Sequence, residues 1–308
     1  MRYAVLFPGQ GSQFVGMGAD VLAMREDLLG APADEVLGWS LRDLCTSGPE
    51  EDLTSTERAQ PALYAIGYAL WDELAAAAPY PPHAAAGHSL GEYTALAAAG
   101  AMDFLTGLEL VAERGRAMGS AARRRPAGMA ALIGVDAEAA ERAADARRAE
   151  GGHLYVANVN APGQVVVAGA AADLEWVAEH GRDHGVRRSI SLNVAGAFHS
   201  PFMADATAEL EAALAGVAFA RPAFPVFANV TAAPMEDVAV TLAAQLVGTL
   251  RFAESLTAMA AAGVEAFVHV GPGGVTAGMA RRTVPGATVF TVSSLDEVEA
   301  TAQALAVQ

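Results

Sequence analysis

Ala85-Ala86-Gly87-His88-Ser89-Leu90-Gly91-Glu92 is the stretch on which the reading of this chain turns. A short apolar approach runs into G-x-S-x-G, and Glu92 to Ala99 then has helical character closed by Gly100. A strand that turns sharply into a helix around a serine is the context of a nucleophile elbow, where small flanking residues let strand and helix approach. Ser89 would stand at the helix start, where the Leu90 N–H and the helix dipole face a developing oxyanion. The same five residues also fit an ordinary turn in a chain with 31 Gly, so the pentapeptide alone leaves both readings open.

Outward from this turn, strand-like and helix-like segments alternate, which favours α/β over all-α. Arg2 to Phe7 reads as a buried strand entering the turn Pro8-Gly9-Gln10-Gly11-Ser12. Gln60 to Ala78 reads as a long helix ending at Pro79, and Phe104 to Ala121 as another, carrying Glu113, Arg114 and Arg116. The composition changes at Arg123-Arg124-Arg125-Pro126-Ala127-Gly128, read as a crossing between domains. Beyond it come a strand (Met129 to Ile133), a helix (Ala137 to Ala149) and a strand (Leu154 to Val159). The turn Asn160-Ala161-Pro162-Gly163 leads to a strand (Gln164 to Ala168), a helix (Ala170 to His184) and a strand (Arg188 to Val194). That βαββαβ order is the ferredoxin-like arrangement, set as an insertion because larger α/β units resume after Ala195.

Composition narrows the function. The 308 residues are 53% hydrophobic and 18% charged, which excludes disorder as the main state. A net charge of −16 repels phosphate backbones, so nucleic acid is not an expected partner. All 19 basic residues are Arg, which excludes Schiff-base lysines and the lysine-dependent phosphate loop. Cys45 is alone and forms no internal disulfide. The N-terminus opens on an apolar strand rather than a signal peptide, and no apolar run approaches the roughly 18 residues of a membrane span. The expected location is the cytoplasm.

A serine hydroxyl needs a base. Among seven His, His199 in Gly196-Ala197-Phe198-His199-Ser200-Pro201 stands where the chain returns from the insertion, a place for a loop over the active site. Alone it is better read as a structural or solvated loop histidine; only in combination with Ser89 does it become a candidate base. His180 and His184, four apart, invite a metal reading, but with no H-E-x-x-H and no cysteine cluster a solvated helix face is the better one. In Gly9-Gln10-Gly11-Ser12-Gln13-Phe14, Phe14 stands where a dinucleotide loop needs its third glycine. The loop serves better to offer the Gln10 N–H as a second oxyanion donor.

Taken in order, Phe7 to Gln13, Gly87 to Glu92, Glu113-Arg114-Gly115, Asn158 to Gln164 and Gly196 to Ser200 carry a resemblance. Together these segments resemble the malonyl-CoA:acyl carrier protein transacylase family, including the acyltransferase domains of polyketide synthases, from Tyr3 to about Thr283. The resemblance implies Ser89 as nucleophile, His199 as base, and Leu90 and Gln10 as oxyanion donors. It implies that the backbone carbonyl of Gln245 orients the imidazole, so that the site is a Ser–His dyad. Glu92 and Asp205, the nearest acids, are left outside the catalytic set. Arg114 matches the family arginine that pairs with a malonyl carboxylate, a role a guanidinium fork suits. His88, Asn158 and Asn160 fall on the substrate-binding side. Phe198 resembles the malonyl-selecting pocket, with Leu90 pointing the same way; one methyl is worth only about 1–3 kcal/mol there.

The chain departs from the family where Met118 is followed by Gly119 instead of Gln, removing a polar side chain near the expected pocket. Arg123, Arg124 and Arg125 read equally as a solvated loop and as a dock for an acidic carrier or the phosphates of CoA. The implied fold is an α/β-hydrolase-like main domain (1–127 and 195–308) interrupted by a ferredoxin-like subdomain (128–194). The implied activity is ping-pong transfer from malonyl-CoA to a carrier's phosphopantetheine thiol, without metal or redox cofactor, membrane or nucleic acid. Ala197-Phe198-His199-Ser200 leans toward a trans-acting role in polyketide rather than fatty-acid synthesis. Two other functions stay open: an acyl-thioester hydrolase that clears carrier proteins, and a silent module that only docks them.

Overall fold

The structure, a computed structural model, describes residues 1–306. Strand β1 (Tyr3–Phe7) is followed by short helices α1 (Ala19–Met24), α2 (Glu26–Leu29), α3 (Ala31–Leu37), α4 (Leu41–Ser47) and α5 (Glu50–Thr54). The long helix α6 (Thr56–Ala77) leads to β2 (Ala84–Gly87), α7 (Gly91–Ala98) and α8 (Phe104–Arg124). Next come β3 (Gly128–Ile133), α9 (Ala137–Ala149), β4 (Leu154–Ala161), β5 (Gln164–Gly169), α10 (Ala171–His180) and β6 (Arg188–Ser191). The chain ends through α11 (Ala204–Ala215), β7 (Val226–Phe227), α12 (Val238–Gln245), α13 (Phe252–Ala261), β8 (Ala266–Val270), α14 (Val275–Thr283), β9 (Thr288–Val292) and α15 (Asp296–Ala306).

Two sheets organise these elements. One is five-stranded, in the order β7-β2-β1-β8-β9, with every pairing parallel. Its strands β1, β2 and β8 are buried throughout, as the apolar runs of a sheet covered on both faces require, with His269 the polar exception in β8. The other is four-stranded, in the order β4-β5-β3-β6, and antiparallel throughout. The fold is thus mixed α/β. The antiparallel layer is stitched to the main body by backbone, since Val159 N–H donates to Leu250 O at 2.7 Å and Leu250 N–H to Ala157 O at 2.8 Å.

The parallel sheet aims its loops at one place. The carboxyl ends of β1, β2 and β7 run directly into Gln10, Ser89 and Asn229, the crevice where open α/β sheets bind ligands. Ala84–Gly87 can form so tight an approach because its side chains are methyls or hydrogen. A Cβ on Gly87 would meet the Gly91 carbonyl carbon at 1.8 Å, and one on Gly91 the Phe7 oxygen at 2.4 Å, so strand and helix touch where only hydrogen fits.

Several element boundaries differ from the sequence reading: β4 continues through Asn160 to Ala161, α10 stops at His180 with Gly181–His184 as a separate tight turn, and three more bear on the site or its surroundings. Helix α8 runs to Arg124, so Arg123 and Arg124 belong to its last turn rather than to an interdomain crossing. The alanines before them propagate the helix, and arginine is favourable at its negative end. Helix α6 starts at Thr56, one turn before Gln60, and continues through Pro61, its sixth residue, which removes a single ladder bond without ending the helix. Strand β6 stops at Ser191, leaving Leu192 and Val194 to line the cleft.

Candidate active site

Ser89 sits between β2 and α7 with φ 54°, left-handed backbone that a residue with a Cβ holds only when its surroundings enforce it. The enforcement comes from two side-chain amides. Asn229 accepts the Ser89 N–H on Oδ1 at 2.8 Å and donates through Nδ2 to Gly87 O at 2.7 Å. Gln245 donates through Nε2 to Ser89 O at 2.9 Å.

Ser89 Oγ lies 2.8 Å from His199 Nε2. His199, itself at φ 55°, places Nδ1 at 2.9 Å from Gln245 O. A carbonyl only accepts, so Nδ1 carries the proton and Nε2 presents its lone pair to the serine. The imidazole is 4% exposed, and burial, reinforced by the charge of Arg114, pulls its pKa down to about 3. It is therefore neutral, the form a base requires, at any ordinary pH.

Arg114 approaches the same hydroxyl from α8, with Nη2 at 3.0 Å from Ser89 Oγ and 2.8 Å from Gln245 Oε1. Its Nη1 donates to Gln60 Oε1 at 2.5 Å, Nε has no partner among the described residues, and the guanidinium lies 5.6 Å from the Tyr93 ring centroid. The side chain is 0% exposed, and every oxygen it touches is neutral. A buried cation held only by amides and a hydroxyl is a seat for an anion, and a carboxylate suits its fork.

The Leu90 and Gln10 N–H groups make no hydrogen bond to another described residue, and both residues line the cavity that holds Ser89. The Gln10 side chain turns away to Thr56 Oγ1 at 3.3 Å. The cavity, about 250 Å³, lies between the two layers: Met129, Ala131 and Val166 close it from the antiparallel sheet, and Met118, Phe198 and Leu192 complete its apolar wall. Bulges in β4 beside Asn158 and before Ala161 keep Asn158 and Asn160 facing this space. His88 Nε2 is 2.8 Å from Asn160 Oδ1 and 3.3 Å from Asn158 Nδ2. The shorter contact makes Nε2 the donor to Asn160, and burial lowers the pKa of this ring too.

The structure thus gathers Ser89, His199, Gln10, Leu90, Gln245, Arg114, Phe198, His88, Asn158 and Asn160 into one place. It does not bring Arg123, Arg124 or Arg125 there. Arg123 pairs with Glu57 at 2.5 Å, Arg124 faces Asp205 and Glu209 at 3.6 and 3.5 Å, and Arg125 lies 4.9 Å over the Phe202 ring. Gly119 also faces away: a Cβ there would meet the Glu57 carboxylate at 2.1 Å, outside the cavity lining. His180 and His184 pack on Trp176 at 5.0 and 5.8 Å, and no metal-binding group occurs among the described residues.

Two members were not singled out from sequence, and a third was named there and set aside. Gln60 was legible only as a lone amide in a largely apolar helix. Asn229 follows a strand of two residues and carries no local signal. Glu92, left outside the catalytic set, is fully buried beneath the turn; burial pushes its carboxyl up to about 8 against the pull of the Asn229 and Gln245 donors and of Arg114.

With this geometry in view, residues 5–297 match the model of the acyl transferase domain family. The chain is 37% identical over 309 residues to the malonyl CoA-acyl carrier protein transacylase of Bacillus subtilis, spanning 99% of this chain and 97% of that one. It is 40% identical over 283 residues to BaeC of Bacillus velezensis, a polyketide biosynthesis malonyl CoA-acyl carrier protein transacylase, spanning 90% and 95%. Among solved structures it resembles PlMCAT, a malonyl-transacylase in complex with its type II polyketide acyl-carrier protein AntF. The TM-score is 0.93 at 34% identity, covering 99% of this chain and 100% of that one.

Proposed function

The chain belongs to the acyl transferase family, and from that membership we propose that it transfers a malonyl group from malonyl-CoA to the phosphopantetheine thiol of an acyl carrier protein. The observation that carries the choice of acyl group is Arg114: a buried guanidinium 3.0 Å from the nucleophilic oxygen, its contacts all neutral. The substrate carboxylate takes its place on that fork, which sets the thioester carbon beside Ser89 Oγ.

In the first half-reaction His199 Nε2 accepts the Ser89 proton as Oγ bonds to the thioester carbon. The negative oxygen of the tetrahedral intermediate rests on the Leu90 and Gln10 N–H groups. The carbon–sulfur bond then breaks, and the proton on His199 passes to the departing CoA thiolate. In the second half His199 takes the proton of the carrier's thiol, the sulfur bonds to the malonyl ester carbon, the bond from that carbon to Ser89 Oγ breaks, and the proton passes from His199 to the departing Oγ. The thioester and the carrier thiol supply the reacting atoms; the protein supplies base, oxyanion donors and carboxylate clamp.

Several finer readings belong to the same proposal. The parallel-sheet body is α/β-hydrolase-like, with the elbow as its signature, and the inserted layer is ferredoxin-like, supported by its βαββαβ order and antiparallel pairing. We place the domain limits at 1–127 with 195–308, and at 128–194. His88, Asn158 and Asn160 line the substrate side, and Phe198 narrows the space beside the malonyl α-carbon. Arg123, Arg124 and Arg125 lie outside the cavity but stay exposed, their surface ion pairs are weak, and docking of an acidic carrier on that run remains part of the proposal. A polyketide carrier is favoured by Ala197-Phe198-His199-Ser200. No helix among the described residues is long and apolar enough to cross a membrane.

The test is intact-protein mass after mixing with malonyl-, methylmalonyl- or acetyl-CoA, beside Ser89→Ala and Arg114→Ala. A malonyl adduct is expected that requires Ser89, is much reduced without Arg114, and moves to added holo-carrier protein. An adduct cleared by water faster than by carrier would make the protein a hydrolase, and no adduct from any of the three would overturn the donor assignment.

A further inference from the structure

Glu92 lies on the first turn of α7, 0% exposed, and both of its oxygens are spoken for by N–H groups rather than by a cation. Oε1 accepts the backbone N–H of Asn229 and Oε2 accepts Nε2 of Gln245. These are the two residues whose amides hold the Ser89 peptide, one at its N–H and the other at its C=O. Gln245 also receives His199 Nδ1 on its backbone oxygen and Arg114 Nη2 on Oε1. Three segments distant in sequence thus meet on one carboxyl group: the start of α7, the turn after β7 and the end of α12.

We propose, on the acyltransferase reading above, that Glu92 is a positioning residue of the reaction: it orients Asn229 and Gln245, and these hold the strained nucleophile in register with its base. Burying an acid is costly, and a packing role alone would be met by an apolar side chain. The site needs two acceptor oxygens, one for a main-chain donor and one for a side-chain donor. A carboxyl group supplies them from two carbons beyond Cβ, and both oxygens keep a lone pair whether or not one of them carries a proton. An amide offers one oxygen and turns an NH2 toward the second donor, so Glu92→Gln preserves volume while setting N–H against N–H. Gln245 then loses the bond that aims its Nε2 at Ser89 O. A strained elbow released from one side drifts toward ordinary backbone, taking Oγ out of line with Nε2.

Glu92→Gln in the full chain is read in two ways: burst acylation of Ser89 by malonyl-CoA, and modification of Ser89 by a carboxylate-free sulfonyl fluoride. Both rates are expected to fall at least about tenfold, the scale set by sub-ångström misplacement of a nucleophile. The malonyl-CoA loss should fall in kcat, with KM within about threefold of wild type, while the variant still melts cooperatively. Wild-type rates with both reagents would overturn the proposal. The sulfonyl fluoride reads the elbow whatever the acyl donor, so failure of the malonyl assignment in wild type would leave this test decisive. Should Glu92→Gln not fold, Asn229→Asp keeps an oxygen for the Ser89 N–H but loses the donor to Gly87 O. A fall of at least about tenfold in its sulfonyl fluoride rate supports the clamp, and an unchanged rate overturns it.

Discussion

Arg114 Nη2 and His199 Nε2 converge on one hydroxyl oxygen, at 3.0 and 2.8 Å. The arrangement polarises Ser89 from both sides, with the arginine favouring the alkoxide and the imidazole receiving the proton. It also places the substrate's charge where it changes the base, because the Arg114 cation is one of the causes holding the His199 pKa down. On the proposed roles of Arg114 and His199, a carboxylate on the fork would offset that cation as the reaction begins to protonate His199, so a malonyl donor would gain in the transition state as well as in binding. Arg114→Lys keeps a positive charge but not the planar fork. We expect kcat/KM for malonyl-CoA to fall about 10²-fold, the loss of one bidentate charged contact, with the slow rate for acetyl-CoA changed less than about threefold. Stopped-flow acylation with both donors checks it; an equal loss for the two would show that Arg114 serves the serine alone.

At the scale of elements, the turn from β2 into α7 depends on two missing side chains. A Cβ on Gly91 would sit 2.4 Å from Phe7 O, a backbone atom of the central strand that cannot swing aside. Gly91→Ala is therefore expected to cost roughly 2–4 kcal/mol, seen as a drop of several degrees or more in melting temperature, and to reduce Ser89 acylation in the protein that still folds. A variant that melts and reacts like wild type would show that the contact relaxes. This turn was legible in sequence because five consecutive residues mark strand end and helix start, although the amides that hold Ser89 in its strained conformation come from Asn229 and Gln245. The βαββαβ rhythm was legible for the same reason, its turns carrying Gly and Pro. What stayed hidden is non-local. Strand β7 is two residues long and takes its identity from pairing with β2, and the bond between Val159 and Leu250 joins segments about 90 residues apart. Gln60 and Asn229 entered the site by the same route, placed by packing rather than by neighbours in sequence. The opposite error arose at Arg123 and Arg124, where a run of like charge resembles a loop until the helix beneath it is seen.

The whole molecule carries buried titratable groups of both kinds, and their signs set the pH range in which it is stable. His199 and His269 are pulled down to about 3 and about 4, chiefly by burial, and His88 is lowered by the same cause. An unfolded chain protonates these rings near 6.5, whereas the folded one resists, so their contribution is complete above that value and is lost as pH falls toward the folded values. Glu92 runs the other way. Its folded pKa of about 8 lies above the unfolded 4.5, so its contribution is complete below 4.5 and is lost as pH climbs through 8. Melting temperature should therefore form a dome, with the histidines steepening the acid limb and one carboxyl the alkaline limb. In Glu92→Gln the group that must ionise is gone, and between pH 6 and 9 the variant should lose less stability than wild type, by a difference on the order of 3 kcal/mol. His269→Gln tests the acid limb away from the catalytic groups, since that ring is buried against Thr276 Oγ1 at 2.6 Å and Gly271 O at 3.1 Å. Its melting temperature should fall less between pH 6.5 and 4 than that of wild type. The slope of each limb, rather than the height of the dome, is the quantity to compare, because each substitution also changes hydrogen bonds by an amount that does not vary with pH. Parallel alkaline limbs for wild type and Glu92→Gln would mean that Glu92 keeps its charge in the folded protein, with Arg114 and the two amide donors outweighing the cost of burial.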